Sequence, residues 1–252
     1  MKRSLYLSAA ALLCMFLLAA CAPEEAPPPE PTPTPEGAVA TCRIADGAGE
    51  STLLLAELDG SIMRLGTSLD ESAVTLDGQP ASAADLRDGM LVDVQFSGTV
   101  LESYPGQYYQ VTALEAHTEG LDDRCGLYLQ VLEDLWGVDS ALNSDIEMIG
   151  LDLSGLTDLT AAEREAVAWR FMELRGLELV QGTWDELVEE GYIDGEALYW
   201  DKGCFFSING SAEEGFDAEK WRSGLGAYFF VDCTAREEGG SWSYEVGSEA
   251  IS

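Results

Sequence analysis

Histidine is nearly absent from this chain. His117 is the only one in 252 residues. A Ser-His-Asp triad would have to use it, and no G-x-S-x-G turn accompanies it. Its place at the end of a strand-like segment reads as a surface position beside a turn. Paired cysteines of the C-x-x-C type are also missing, so zinc has no ligand set and no metal is expected. No D-x-[DN]-x-[DN]-G calcium loop occurs. Basic charge is sparse: 13 Lys and Arg face 46 Asp and Glu, a formal net charge of -33. Such a surface repels phosphate backbones, which excludes nucleic acid as a partner. Proline is rare after residue 40, and tryptophan does not occur before residue 122. These last two absences divide the chain into regions.

What is present begins with Met1-Lys2-Arg3 and an apolar run from Leu5 to Ala20. The run is short for a membrane span, and no basic cluster follows it. Leu18-Ala19-Ala20-Cys21 resembles a bacterial lipobox. That resemblance implies a cleaved leader over residues 1–20 and a diacylated Cys21. Two acyl chains anchor a protein stably where one does not. The membrane is then the first expected partner, and the location is its extracytoplasmic face. Residues 21–40 are proline-rich and cannot bury a core. They read as a stiff polyproline tether reaching about 50–60 Å.

The remaining sequence divides near residue 122, into a β domain over 41–121 and an α+β domain over 122–252. In the first, Asp59-Gly60 and Asp77-Gly78 sit between apolar runs, as hairpin turns do. Val92, Val94 and Phe96 alternate with Asp93 and Gln95, the pattern of a half-buried strand. Five or six short strands with a helical interruption at Ala81–Arg87 predict a small barrel. Gly98-Thr99-Val100-Leu101-Glu102-Ser103-Tyr104-Pro105-Gly106-Gln107, preceded by Asp85-Leu86-Arg87-Asp88-Gly89, is similar to segments of small OB-like lipoprotein domains of Firmicutes. The resemblance spans about residues 50–117. It implies a fold and a surface location, and no activity.

In the second region, helix is predicted from Cys125 to Asn143. Thr160-Ala161-Ala162-Glu163 and Thr183-Trp184-Asp185-Glu186 have the form of capping boxes. The first opens a helix to about Arg175, and the second opens a short helix to Gly191. Strands are predicted at about 196–200, 204–209, 227–234 and 242–246. Helices followed by a strand meander are an α+β pattern. By analogy, helices packed on a curved antiparallel sheet suggest an NTF2-like or cystatin-like fold.

Cys42, Cys125, Cys204 and Cys233 remain after the leader and the lipid site. An extracytoplasmic location permits disulfides. Pairing residues 204–208 antiparallel with 229–233, Ile208 opposite Phe229, sets Cys204 against Cys233. That predicts a Cys204–Cys233 bridge and leaves Cys42 for Cys125; buried free thiols are the alternative.

The most basic stretch, Lys220-Trp221-Arg222-Ser223-Gly224, reads as a loop. Lys220, Arg222, Ser223 and Gly224 could there hold a carboxylate or phosphate, or simply form a turn whose Trp221 packs on the core. Trp136, Trp169 and Trp184 fall in helix-like segments, which favours core packing over a sugar platform. No catalytic residue and no cofactor is assigned. The expected function is a membrane-anchored, non-catalytic binding module for an unknown protein or small molecule. A surface hydrolase using acidic residues of the second domain and a structural envelope component are the alternatives.

Overall fold

Two sheets enclose a layer of helices. The computed structural model describes residues 37–49, 52–65 and 74–252, all in one compact unit. Cys21, the leader and the tether lie outside the described residues, apart from the last few of the tether. The first sheet is built from β1 (Ala38–Asp46), β2 (Leu53–Glu57), β3 (Ile62–Leu65), β4 (Val74–Leu76), β5 (Gln79–Pro80), β6 (Leu91–Phe96), β7 (Val100–Leu101), β8 (Gly106–Tyr108) and β9 (Ala113–His117). Its order is β5-β4-β9-β6-β1-β2-β3-β8-β7. Most neighbours are antiparallel, but β3–β8 and β4–β9 are parallel.

The local signals act as their chemistry requires. Asp59-Gly60 closes the β2–β3 hairpin, with Ala56 opposite Ile62. Asp77 and Gly78 both take positive φ, 49° and 74°, to join β4 to β5, the geometry of a tight hairpin turn. Val92, Val94 and Phe96 are buried in alternation along β6. The helical turn expected over 81–87 shrinks to a 3₁₀ turn at Ala83–Asp85.

The second sheet contains β10 (Met148–Asp152), β11 (Glu178–Gln181), β12 (Gly203–Ser211), β13 (Gly215–Ser223), β14 (Gly226–Glu238), β15 (Ser241–Glu245) and β16 (Ser248–Ile251). The order is β11-β10-β12-β13-β14-β15, with β16 also on β14. β11, β10 and β12 run parallel and the rest antiparallel. Helices α1 (Arg124–Gly137) and α2 (Ala161–Arg175) lie between the sheets, and the shorter α3 (Trp184–Glu189) packs elsewhere.

The predicted fold class is overturned. The molecule is mostly sheet, 44% strand against 20% helix, with a nine-stranded mixed sheet and a second sheet curled into a half-barrel. No OB-like barrel precedes an NTF2-like or cystatin-like α+β domain. The first sheet is an open path whose end strands, β5 and β7, each pair only inward. The second is not a meander on helices, because parallel strands open it. Sequence reading missed β10, β11, β13 and β16, and the strand expected at 196–200 is a turn with two isolated bridges, Tyr199 to Asp194 and to Ser223. β10 and β11 are too short to show a period.

The core explains why the helices form a shared layer. One cluster joins Leu54, Ala56 and Ile62 of the first sheet to Leu127, Val131 and Leu135 of α1. It continues through Ala166 and Phe171 of α2 to Ile149, Phe206 and Ile208 of the second sheet. Residues 121 and 122 separate the sheets in sequence, but this core runs across that point. A second cluster, including Cys42, Ile44, Leu55, Val92 and Leu114, fills the other face of the first sheet. β2, β3 and the C-terminal half of β1 are thus covered on both faces.

Asp123 caps the start of α1, its carboxylate accepting from Gly126 N at 3.0 Å. Burial, and then the nearby Asp88, Asp122 and Asp46, raise its pKa to about 6. The folded state therefore takes up a proton at higher pH than the unfolded chain. This contribution stabilises the fold as pH falls through about 6 and is complete near the ordinary Asp value of about 4. Asp123→Asn keeps the cap acceptor and removes the charge. It is expected to stabilise the fold by about 1–2 kcal/mol at neutral pH, with the gain shrinking toward about pH 5. Urea unfolding at both pH values checks this; a gain independent of pH would contradict it.

Candidate functional site

A concavity opens at the carboxyl-end edge of the second sheet. β10 is followed by α2, which covers the face of Ile149 and Leu151. β11 is followed by α3, which covers the opposite face. There Gly150 leaves room: a Cβ on it would lie 2.6 Å from Trp200 and 2.8 Å from Leu187. The two connections leave the parallel strands on opposite faces. In open sheets, ligands favour the crevice at the carboxyl ends of such strands.

An open groove of about 510 Å³ occupies that position, lined by Asp152, Ser154, Arg164, Glu165, Gln181 and Glu186 among others. The first turn of α2 and the N-terminus of α3 form its sides. Both helix starts are closed by the predicted capping boxes. Glu163 accepts from Thr160 N at 2.8 Å, and Glu186 accepts from Thr183 N at 2.8 Å. Each box fills the N-cap amide with a carboxylate and the N3 amide with the threonine hydroxyl, and sets a negative charge at the helix start, which disfavours an anion there.

Most charged groups of the groove are tied back into the protein. Asp152 Oδ1 accepts from Ser154 N at 2.9 Å and from Ser154 Oγ at 2.6 Å. Arg164 Nη1 donates to Leu159 O at 2.7 Å and Leu156 O at 3.2 Å. Glu165 accepts from Tyr104 Oη at 2.8 Å, a contact that brings the first sheet to the rim. Burial and the Glu165 carboxylate push the Tyr104 hydroxyl above its ordinary range. Hydrogen bonds from Thr183 hold the Glu186 carboxyl below its ordinary value. Glu186 is therefore ionised at neutral pH and is no proton donor. The groove offers shape and fixed dipoles.

The predicted anion loop is not a loop. Lys220, Arg222 and Ser223 belong to β13, and Gly224 lies in the turn after it. Lys220 is fully buried. Its Nζ donates to the carbonyls of Val138 at 2.7 Å, Asp139 at 3.2 Å and Trp136 at 3.3 Å, at the C-terminal end of α1. Arg222 donates to Ser144 O at 2.6 Å, Asp201 O at 2.9 Å and Leu142 O at 3.1 Å. Ser223 Oγ accepts from Leu225 N, and Gly224 N donates to Leu198 O at 2.9 Å. Each of the two cations is engaged by three backbone carbonyls. Burial lowers the Lys220 pKa. The alternation Phe216, Ala218, Lys220, Arg222 was the available signal for a strand. It was hidden because its inward face turns from apolar to basic.

The four cysteines are buried free thiols. The proposed Cys204–Cys233 pairing assumed adjacent strands, but β13 lies between β12 and β14. Cys204 is opposite Ile149, and Cys233 is opposite Phe216. Cys42 sits on β1 beside Tyr108, 3.2 Å from its hydroxyl, and is not bridged to Cys125 on α1. Burial pushes Cys42 and Cys204 up to about 12 and Cys233 to about 11. At those values the thiolate population is negligible at neutral pH, so none is an activated nucleophile.

His117 Nε2 lies 3.2 Å from Asp93 Oδ2 on the first sheet. Trp169 and Trp200 are buried. Trp136 stacks on Phe206, and Trp184 meets Trp221 edge-on. These rings pack the cores and offer no sugar platform. Among the described residues, no group of three or more metal-ligating side chains converges, and no helix is long and apolar enough to cross a membrane. Comparison with known proteins yields no matching family model, no matching curated protein and no matching solved structure.

Proposed function

We propose that this chain is a lipid-anchored binding module of the extracytoplasmic face, taking its ligand in the groove at the carboxyl ends of β10 and β11. The observation that carries the reading is the groove itself. It lies where connections leaving parallel strands on opposite faces open a crevice, and most of its charged groups are already engaged. Such a site recognises a ligand by shape and polar complementarity. Anchoring rests on the lipobox-like Leu18-Ala19-Ala20-Cys21, and the large negative charge keeps the body off anionic lipid and nucleic acid.

Two measurements test this. Cys21→Ser is expected to move the protein from the detergent phase to the aqueous phase and to abolish the acyl mass. For the groove, a photocrosslinking amino acid at Gln181, on the rim, is expected to capture one molecular species in intact cells. Ser154→Trp, which fills the groove, is expected to abolish that adduct. Capture unchanged by the filled groove would remove the site from the proposal, and partition of Cys21→Ser with the detergent would remove the anchor.

A further inference from the structure

A second cleft lies on the face of the second sheet turned away from α1 and α2, over β12, β13 and β14, with a volume of about 150 Å³. Its floor follows from register. Ser207 is directly opposite Glu219, and Glu219 is directly opposite Phe229. Asn209 and Asp217 form the next row, and Val231 completes the apolar wall. Directly paired side chains on one face lie about 5 Å apart. A hydroxyl, a carboxylate and an aromatic ring therefore line one small cavity.

Two of these groups lack partners. Ser207 is 5% exposed and lines the cleft. Its hydroxyl makes no hydrogen bond to another group among the described residues. The Glu219 carboxylate, half-buried beside it, makes none either. Burial alone raises the Glu219 carboxyl above its ordinary value. Neither is among the fully sealed, unsatisfied atoms of the described residues, so both meet solvent in the cleft. A cation beside Glu219 would remove the desolvation cost.

The wall selects among cations. Phe229 and Val231 suit methylene groups, and no cluster of metal-ligating side chains lies here among the described residues. A phosphate or carboxylate would face Glu219 and Asp217. We propose that this cleft binds the ammonium end of a primary alkylamine, with Glu219 as counter-ion, Ser207 as hydroxyl acceptor and Phe229 and Val231 along the alkyl chain. The chain's charge of -33 raises the local concentration of such cations. A free amine and a lysine side chain share this chemistry.

Titration of the folded protein at constant ionic strength, followed by backbone amide NMR, tests the assignment. The probes are butane-1,4-diamine and Nα-acetyl-lysine N-methylamide, with butan-1-ol as the neutral control. The expected result is saturable shifts confined to Ser207, Glu219 and Phe229 for at least one amine, and none for the alcohol. The amine that binds more tightly identifies the source. Glu219→Gln is expected to weaken binding about tenfold or more, and Ser207→Ala about threefold. Both variants are first shown to keep the wild-type spectrum elsewhere. Ser154→Trp, which fills the separate groove, is expected to leave amine binding unchanged. Equal affinity in wild type and Glu219→Gln, or no saturable shift with either amine, would overturn the proposal.

Discussion

Lys220→Met is expected to lower the unfolding free energy by about 3–5 kcal/mol. Methionine matches the length of lysine but donates no hydrogen bond. The substitution strips a donor from three carbonyls at once, those of Trp136, Val138 and Asp139. These belong to the end of α1 and the residues just beyond it, where carbonyls have no partner within the helix. The negative end of the helix dipole also loses its cation. Replacing a buried charge can be neutral when its partners leave with it. Here the partners are backbone and stay behind: Trp136 O keeps Asn143 Nδ2 and Asp139 O keeps Leu142 N, but Val138 O loses its donor and all three lose the ammonium charge. Urea unfolding measures the loss, and a change below about 1 kcal/mol would show that water or a shifted backbone replaces the ammonium. Amide exchange offers a second readout: protection should fall first in the last turn of α1 and the 3₁₀ turn at Ser140–Asn143.

Glu163→Ala is expected to cost a similar amount, about 3–5 kcal/mol. Glu163 is 7% exposed on α2. One carboxylate oxygen closes the capping box with Thr160 N at 2.8 Å, and the other accepts from Arg43 Nε at 2.8 Å. Arg43 is on β1, so this ion pair ties the first sheet to the helix layer. Arg43 Nη1 also donates to Gly89 O at 2.7 Å and Gly120 O at 2.9 Å. Truncating Glu163 leaves the guanidinium held in place without its counter-charge. Breaking one side of a buried pair costs more than the pair contributes. The double variant Arg43→Met, Glu163→Ala should therefore be less damaged than the sum of the two single variants. Additive losses in that cycle would mean the two residues are not energetically coupled.

The same carboxylate shows how much could be read in advance. Thr160-x-x-Glu163 identified the start of α2 from four consecutive residues, because capping is a local exchange of hydrogen bonds. Thr183-x-x-Glu186 and the two Asp-Gly turns were legible for the same reason. That Glu163 also pairs with Arg43 was not legible, since 120 residues separate them. Lys220 and Arg222 stand out in the sequence as unusual cations, yet their partners are main-chain carbonyls from 136 to 144 and 201, which no side-chain pattern reveals. The groove combines strand ends near residues 152 and 181, and the amine cleft depends on the register of three strands. Neither register nor parallel pairing is written in a short apolar run.

The sequence alone determined the acidity, the scarcity of histidine, the proline-rich segment ahead of the described residues, the helix starts and the tight turns. Each depends on composition or on atoms within a few residues of one another. Tertiary structure decided that β13 separates Cys204 from Cys233, that two sheets share one helix layer, and that the basic stretch faces inward. Those outcomes follow from long-range burial: apolar faces and carbonyl-bound cations are satisfied together only when distant strands align.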